Sequence, residues 1–421
     1  SRPHRGVDRF NMPFPRRCLT LTGAVEHIMA RCFPHDGGDL VGLELEWLTT
    51  PAGVVTELPA SVNPRPGRSS LTREPGGQIE LSSPPFASVG EACDVVGADL
   101  ADLRLGLAPL GAQLLGVGLS PDAVERRMIT TPRYEAMAAF FEPDGIAGSV
   151  MMTSTASVQV NVGIGRREQQ SWRWRLAHLF GPVLAAAFAN SPVGAGRPTG
   201  LKSTRLANWF AIDPTRTAPA WLPGQGCLSW PAYVLGARVM MIREADGGGF
   251  AGVPGRLSFA RWLEDGHELG FPTGEDLDYH LTTLFPPVRP KGWLELRFLD
   301  ALPTPWWQVA AAVTSTLLLD DEAGAQAEPA ASPFAEAWHQ AAVHGLAGPG
   351  LATAARACFA AARQSSLAQD YGTKLTDTFD GYVDRFVARG RTPADDRLEA
   401  WRRCGSVLLD EDCGQPAGAL V

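Results

Sequence analysis

Four short stretches of the chain alternate apolar and polar residues with period two, the signature of strands that bury one face. In "GLELEWL" (42–48) Leu43, Leu45 and Trp47 oppose Glu44 and Glu46. In "GGQIELSSP" (76–84) Ile79 and Leu81 oppose Gln78, Glu80 and Ser82. In "ASVQVNVGI" (156–164) Val158, Val160, Val162 and Ile164 oppose Ser157, Gln159 and Asn161. In "GWLELRFLD" (292–300) Leu294, Leu296 and Phe298 oppose Trp293, Glu295 and Arg297.

Between them the pattern turns helical. "LTGAVEHIMARCF" (21–33) predicts a helix capped by Thr22, and Ser88 with Glu91 has capping-box spacing ahead of a long helix. Thr131 and Pro132 open another over 131–141, since proline suits the first helical position. Residues 167–190 read as a helix interrupted near Pro182, and "WWQVAAAVTSTLLL" (306–319) as a buried helix too short to span a bilayer. The Ala-rich chain from about 330 is helical apart from breaks such as "GLAGPG" (345–350), while 61–70 and 243–256 read as loops. Strands and helices lie in separate runs, which predicts an α+β fold on a mainly antiparallel sheet rather than βαβ units.

The polar faces raise a chemical question. Like charges two residues apart repel, by roughly 4 kcal/mol at ~4 Å and an effective dielectric of about 20. A solvated sheet face is the plain explanation for one such strand. Four strands rich in Glu, Gln and Asn, with Arg297 as their one base, point instead to bound cations. Hard oxygen donors suit Mg²⁺ or Mn²⁺, and Mg²⁺ shares itself with phosphates, so a nucleotide is its natural companion. There is no GxxxxGK[ST] loop, and the glycines of "DGGGFAGVPG" (246–255) lack the following Lys-Ser/Thr. Phosphate would then be held by metal and by arginine, with Arg205, Arg216, Arg289 and Arg297 as candidates. His280 reads as a packed side chain, and no GxSxG elbow or Cys/His pair offers a nucleophile.

Composition narrows the class. The chain has 421 residues, 45% of them hydrophobic, and a net charge of −8, which disfavours sequence-independent nucleic-acid binding. Seven scattered cysteines form no CxxC or Cys/His cluster, so a reduced, soluble, cytoplasmic protein is expected, with no secretory signal at its start.

Taken together, "EPGGQIELSSPP" (74–85), "TASVQVNV" (155–162), "FANSP" (188–192), "RLANW" (205–209), "DPTRT" (213–217) and "HLTTLFPPVRPKGWLELR" (280–297) resemble the plant-type glutamate–cysteine ligases, in the family's order. The chain is most similar to the actinomycete branch linked to ergothioneine production. Arg73 before "EPGGQ" and Ala218 after "DPTRT" depart from the family pattern. The resemblance implies a glutamine-synthetase-like curved sheet. It also implies ATP-dependent ligation of the glutamate γ-carboxylate to the cysteine amine through γ-glutamyl phosphate. Metal would be held by Glu44, Glu46, Glu80, Glu295 and Gln159. Arg297 would face the transferring phosphoryl group, and Arg216 would serve glutamate or ATP. Arg205 would hold the glutamate α-carboxylate, with Trp209 and Asn161 beside the substrate. The expected organisation is an N-terminal extension over 1–35, a catalytic core over 36–325, and a helical region over 326–421 packed on it. Two other readings share the scaffold: a γ-glutamyl ligase with a different amine acceptor, and a non-catalytic sensor of glutamate or nucleotide.

Overall fold

The computed structural model describes residues 19–51, 55, 68–122, 127–243, 249–253 and 255–413. Its strands, in chain order, begin with β1 (Val41–Thr50), β2 (Ser70–Arg73), β3 (Ile79–Ser82), β4 (Gln113–Leu115) and β5 (Ser157–Gly163). Two small hairpins follow, β6 (Val193–Gly194) with β7 (Arg197–Pro198) and β8 (Met241–Arg243) with β9 (Phe250–Gly252). The last pair is β10 (Val288–Pro290) and β11 (Trp293–Asp300). Seven strands form one antiparallel sheet in the order β10-β11-β5-β1-β3-β2, with β4 on the far end of β1. The fold is α+β and glutamine-synthetase-like, an open sheet flanked by helices.

All four alternating segments lie in this sheet. Their apolar residues, from Leu43 and Trp47 through Val160 to Leu296, are buried. Each such side chain contributes about 1.5–3 kcal/mol. Against this face pack the helices Trp306–Leu319 and Arg167–Ala187. The first is buried on every side from Trp306 to Leu318, which is why it is largely apolar all round, with Gln308, Thr314, Ser315 and Thr316 as its polar residues. One hydrophobic cluster runs from Ala24 through the sheet to Val387, without a break at residue 325.

Thr131 accepts from the Tyr134 amide and Pro132 begins the Pro132–Phe141 helix, as their order predicts. Elsewhere the structure corrects the reading. The first helix, Leu21–Cys32, is capped by Thr20 and not Thr22. The Arg167–Ala187 helix is continuous through Pro182, because Leu176 to Ala187 are buried on every side and packing bridges the missing N–H. Within 243–256, expected as a loop, Arg243 ends β8 and Phe250–Gly252 form β9, while residues 244–248 and 254 lie outside the described residues. Of 61–70, residues 61–67 lie outside them and Ser70 starts β2. Residues 1–18 of the expected extension also lie outside. Among the described residues no helix is long and apolar enough to cross a membrane. Cys32, Cys93, Cys227 and Cys358 are buried free thiols, and Cys404 is an exposed one.

Candidate active site

Strand register assembles the site. Glu46 pairs with Glu80 across β1 and β3, and Glu44 pairs with Gln159 across β1 and β5. Glu295 lies between Asn161 on β5 and Arg289 on β10. Because side chains alternate, these residues share the face opposite the core. Over them sit the helices Pro132–Phe141, Ala147–Ser154 and Thr204–Phe210 and the segment 282–285. The result is a cavity of about 250 Å³. Five carboxylates (Glu44, Glu46, Glu74, Glu80, Glu295) and five cations (Arg133, Arg205, Arg289, Lys291, Arg297) line it.

The charges are segregated. On the β10–β11 side, Arg289 reaches both oxygens of Glu295, Nε to Oε2 at 2.6 Å and Nη2 to Oε1 at 3.0 Å. Lys291 Nζ donates to Oε1 at 3.1 Å and Arg297 Nη1 to Oε2 at 3.0 Å. Burial alone would raise the Glu295 carboxyl, but Arg289, Arg297 and Lys291 hold it well below the usual carboxylate range. A carboxylate saturated in this way is a counter-ion. Glu295 is therefore not the open metal ligand the sequence suggested. Gln159 is likewise occupied: its Nε2 donates to Glu46 (2.8 Å) and its Oε1 accepts from Arg297 (2.7 Å).

On the β1–β3 side no base is interleaved. Burial, with Glu80 next, pushes Glu46 up to about 7. Burial, then Glu46 and Glu80, pushes Glu74 up to about 8. Glu44 is also raised, by burial and then by Glu295 and Glu80. Thr72 and Ser82 both donate to Oε1 of Glu80 (2.9 and 2.8 Å), and Asn161 Nδ2 donates to Glu44 (2.9 Å). These donors only partly offset the repulsion. The four carboxylates fit a hard divalent cation in donor type and in the charge they leave unbalanced. Among the described residues no three acidic, His or Cys side chains are drawn together closely enough to chelate one.

Arg205 and Arg297 close the other end. Both guanidinium groups lie over the Trp209 ring, at 5.2 and 5.7 Å, and Trp209 is anchored by its Nε1–H to the Phe285 carbonyl at 2.8 Å. Arg205 Nη2 donates to the Arg297 carbonyl (2.8 Å), and Asp300 lies 3.8 Å from Nη1. The Nε atoms of Arg205 and Arg297 are buried with no hydrogen-bond partner. Those two atoms are sealed from the cavity, but the two guanidinium groups line it side by side, and their positive charge suits an anion.

The remaining expected residues fall elsewhere. Arg216 is fully buried outside the cavity lining. It donates to Asp213 (3.0 Å) and to the carbonyls of Thr283 and Arg238 (both 2.6 Å), so it braces the fold and cannot reach a substrate. Asn161 does not line the cavity; it links Glu44 to the indole of Trp293. His280 is packed, with Nε2 3.0 Å from the Val234 carbonyl, and burial lowers it to about 3. Sequence reasoning missed Glu74, Lys291, Arg133 and Tyr134 as lining residues. Glu74 and Lys291 stand inside the motifs quoted above, but neither lies on an alternating strand face. Arg133 and Tyr134 carried no signal.

Three comparisons agree with this geometry. The family described as glutamate–cysteine ligase family 2 matches residues 40–411. Glutamate–cysteine ligase EgtA of Mycolicibacterium smegmatis is 40% identical over 391 residues, 87% of this chain and 92% of the relative. EgtA of Mycobacterium tuberculosis is 39% identical over 89% of each chain. The chloroplastic glutamate–cysteine ligase of Medicago truncatula is 29% identical over 58% of this chain and 49% of its own. Among solved structures, a Francisella tularensis glutamate–cysteine ligase in complex with AMP superposes with a TM-score of 0.53 at 14% identity, over 88% of this chain and 86% of that one. At that identity the likeness concerns the fold.

Proposed function

The chain belongs to glutamate–cysteine ligase family 2, and from that premise we propose that it makes γ-glutamylcysteine for ergothioneine biosynthesis, in the cytoplasm where ATP and reduced cysteine coexist. ATP transfers its γ-phosphoryl group to the γ-carboxylate of L-glutamate and leaves as ADP. The neutral amine of L-cysteine then attacks the acyl carbon. A C–N bond forms, the C–O bond to phosphate breaks, orthophosphate leaves with the electron pair, and the amine proton goes to solvent.

The observation that carries this reading is one cavity in which an acidic flank faces two neighbouring arginines, Arg205 and Arg297. Arg205, rigid over Trp209, holds the α-carboxylate of glutamate. Arg297 faces the phosphoryl group in flight, where positioning and charge neutralisation supply most of the catalysis. Glu295 keeps Arg289 and Arg297 aligned. Glu44, Glu46 and Glu80, joined by Glu74, hold Mg²⁺, with Mn²⁺ as a substitute of the same donor preference. When bound, the cation neutralises phosphate oxygens and relieves the repulsion on the acidic flank. Trp209 fixes the separation of the two guanidinium groups, and Gln159 links the flanks.

The test is ADP release with Mg·ATP and L-glutamate while single amino acids are offered as acceptor. Release that rises strongly with cysteine supports the assignment. Comparable release with many amines overturns the acceptor, and no release with any amine overturns the enzyme.

A further inference from the structure

The sheet side of the cavity is densely charged, whereas its roof, apart from Arg133 and Arg205, is apolar. Tyr134 and Met137 descend from the Pro132–Phe141 helix, and Met151 and Met152 from the Ala147–Ser154 helix, to meet Trp209 and Phe285. Met137, Met152, Trp209 and Phe285 belong to one buried cluster. The roof is also tied down. Thr155 Oγ1 donates to the Met151 carbonyl (2.8 Å), Gln78 Nε2 to the Met152 carbonyl (3.4 Å), and Asn208 Nδ2 to the Ala147 carbonyl (3.0 Å).

We propose that the thioethers of Met137, Met151 and Met152 form the pocket for the acceptor's side chain and select a thiol over a hydroxyl; this rests on the ligase reading above. Glutamate and a triphosphate are polar nearly throughout, and the adenine of ATP is separated from its γ-phosphate by the ribose and the phosphate chain, so none of them accounts for three methionines lining the cavity beside the reacting carboxyl. The acceptor amine must meet the γ-carboxyl near Arg205 and Arg297, both of which touch the roof through Trp209. A side chain on that amine points into the methionines. A thiol is a small hydrophobe with a weak donor and packs well against polarizable thioethers and aromatic edges. A serine hydroxyl would give up its water hydrogen bonds for sulfur, a weak acceptor. Such a pocket discriminates by roughly 10- to 100-fold.

The decisive variant is Met137→Gln, which keeps the length but offers an amide to a hydroxyl. ADP release is measured with L-cysteine, L-serine and L-2-aminobutyrate as acceptors. The kcat/KM ratio of cysteine to serine should fall about 10-fold, while the KM values for glutamate and ATP stay in place. Met137→Leu, which removes one thioether but adds no polar group, should lower the ratio by less than Met137→Gln does. An unchanged ratio in a Met137→Gln protein that retains its glutamate KM overturns the proposal. So does a shift in the glutamate KM with the ratio constant, because it moves the methionines to the other substrate. Should Met137→Gln fail to fold, Met151→Gln at the half-buried position reads the same ratio under the same criteria. Wild-type protein that releases no ADP with glutamate and cysteine refutes the ligase reading itself; a working wild type with an unmoved ratio refutes the pocket alone.

Discussion

Glu46 and Glu295 lie on the same face of one sheet with a single strand between theirs, yet their surroundings have opposite character. Glu295 is held by Arg289, Lys291 and Arg297 and stays ionised far below the usual range. Glu46 faces Glu80 across the ladder and is driven up to about 7. One flank carries its own counter-ions and is rigid before any ligand arrives. The other is electrostatically frustrated, and on the proposed function an incoming cation would relieve it. A carboxylate's role in this site therefore follows from what surrounds it, and the two flanks should respond to the same substitution with opposite signs.

The largest effect is expected from Glu295→Gln. It leaves Arg289, Lys291 and Arg297 without their shared anion, and removing one partner of a buried ionic network costs roughly 3–5 kcal/mol. Urea unfolding should show that loss, and turnover should fall with it as Arg297 loses its fixed position. A variant as stable as wild type would mean that Glu295 is not the hub of the basic flank. Glu46→Gln should do the reverse. Removing a like-charge pair across the ladder stabilises the metal-free protein by up to about 1 kcal/mol. ADP release should nevertheless fall roughly 100-fold, since charge stabilisation at the transferring group is lost. If Glu46→Gln were destabilised like Glu295→Gln, the contrast between the flanks would collapse.

This contrast was only half visible in the sequence. Alternation in "GLELEWL" and "GWLELRFLD" placed each glutamate on the polar face correctly, because a period of two is a local property. Whether a glutamate meets a cation depends on cross-strand register, which is not local. Arg289 reaches Glu295 because β10 and β11 form a tight hairpin through Lys291 and Gly292, where Gly292 takes φ +88°. Reading "VRPKGWLEL" as a hairpin with a three-residue Lys291-Gly292-Trp293 loop would have paired Arg289 with Glu295, whereas a two-residue turn would have placed Leu294 there. Nothing comparable announced Glu74, which directly follows β2 in the turn leading to β3, or Arg133, whose helix folds over the cavity from a distant part of the chain. Arg216 misled for the converse reason: a charged residue in a shared motif was structural, with its donors taken by Asp213, Thr283 and Arg238. Pro182 marked no helix break because tertiary burial overrode its local preference.

The smallest predicted effect is also the most direct probe of the frustrated flank. Glu46 and Glu74 have folded values near 7 and 8, against about 4.3 for a free glutamate. Between those limits the native state binds more protons than the unfolded one, so stability falls as pH rises. The buried His178 and His280, lowered to about 4 and about 3, act oppositely below about pH 6.5, so the glutamates are read against Glu46→Gln: from pH 8 to pH 5.5 metal-free wild type should gain a few degrees, about 1–2 kcal/mol, relative to that variant. Glu295 acts in the opposite sense: its contribution is complete above about pH 4.3 and is lost only on further acidification, so it leaves that window untouched. Mg²⁺ favours the ionised carboxylates and should raise the melting temperature at pH 8 far more than at pH 5.5, where protons already occupy the flank. Glu46→Gln should flatten both responses, whereas a substitution on the basic flank should leave the slope in place. A pH slope in wild type equal to that of Glu46→Gln, or an equal response to Mg²⁺ at both ends, would show that the four glutamates do not share one field. The acidic flank would then be a row of separate solvated side chains, and the cation would have to be held elsewhere.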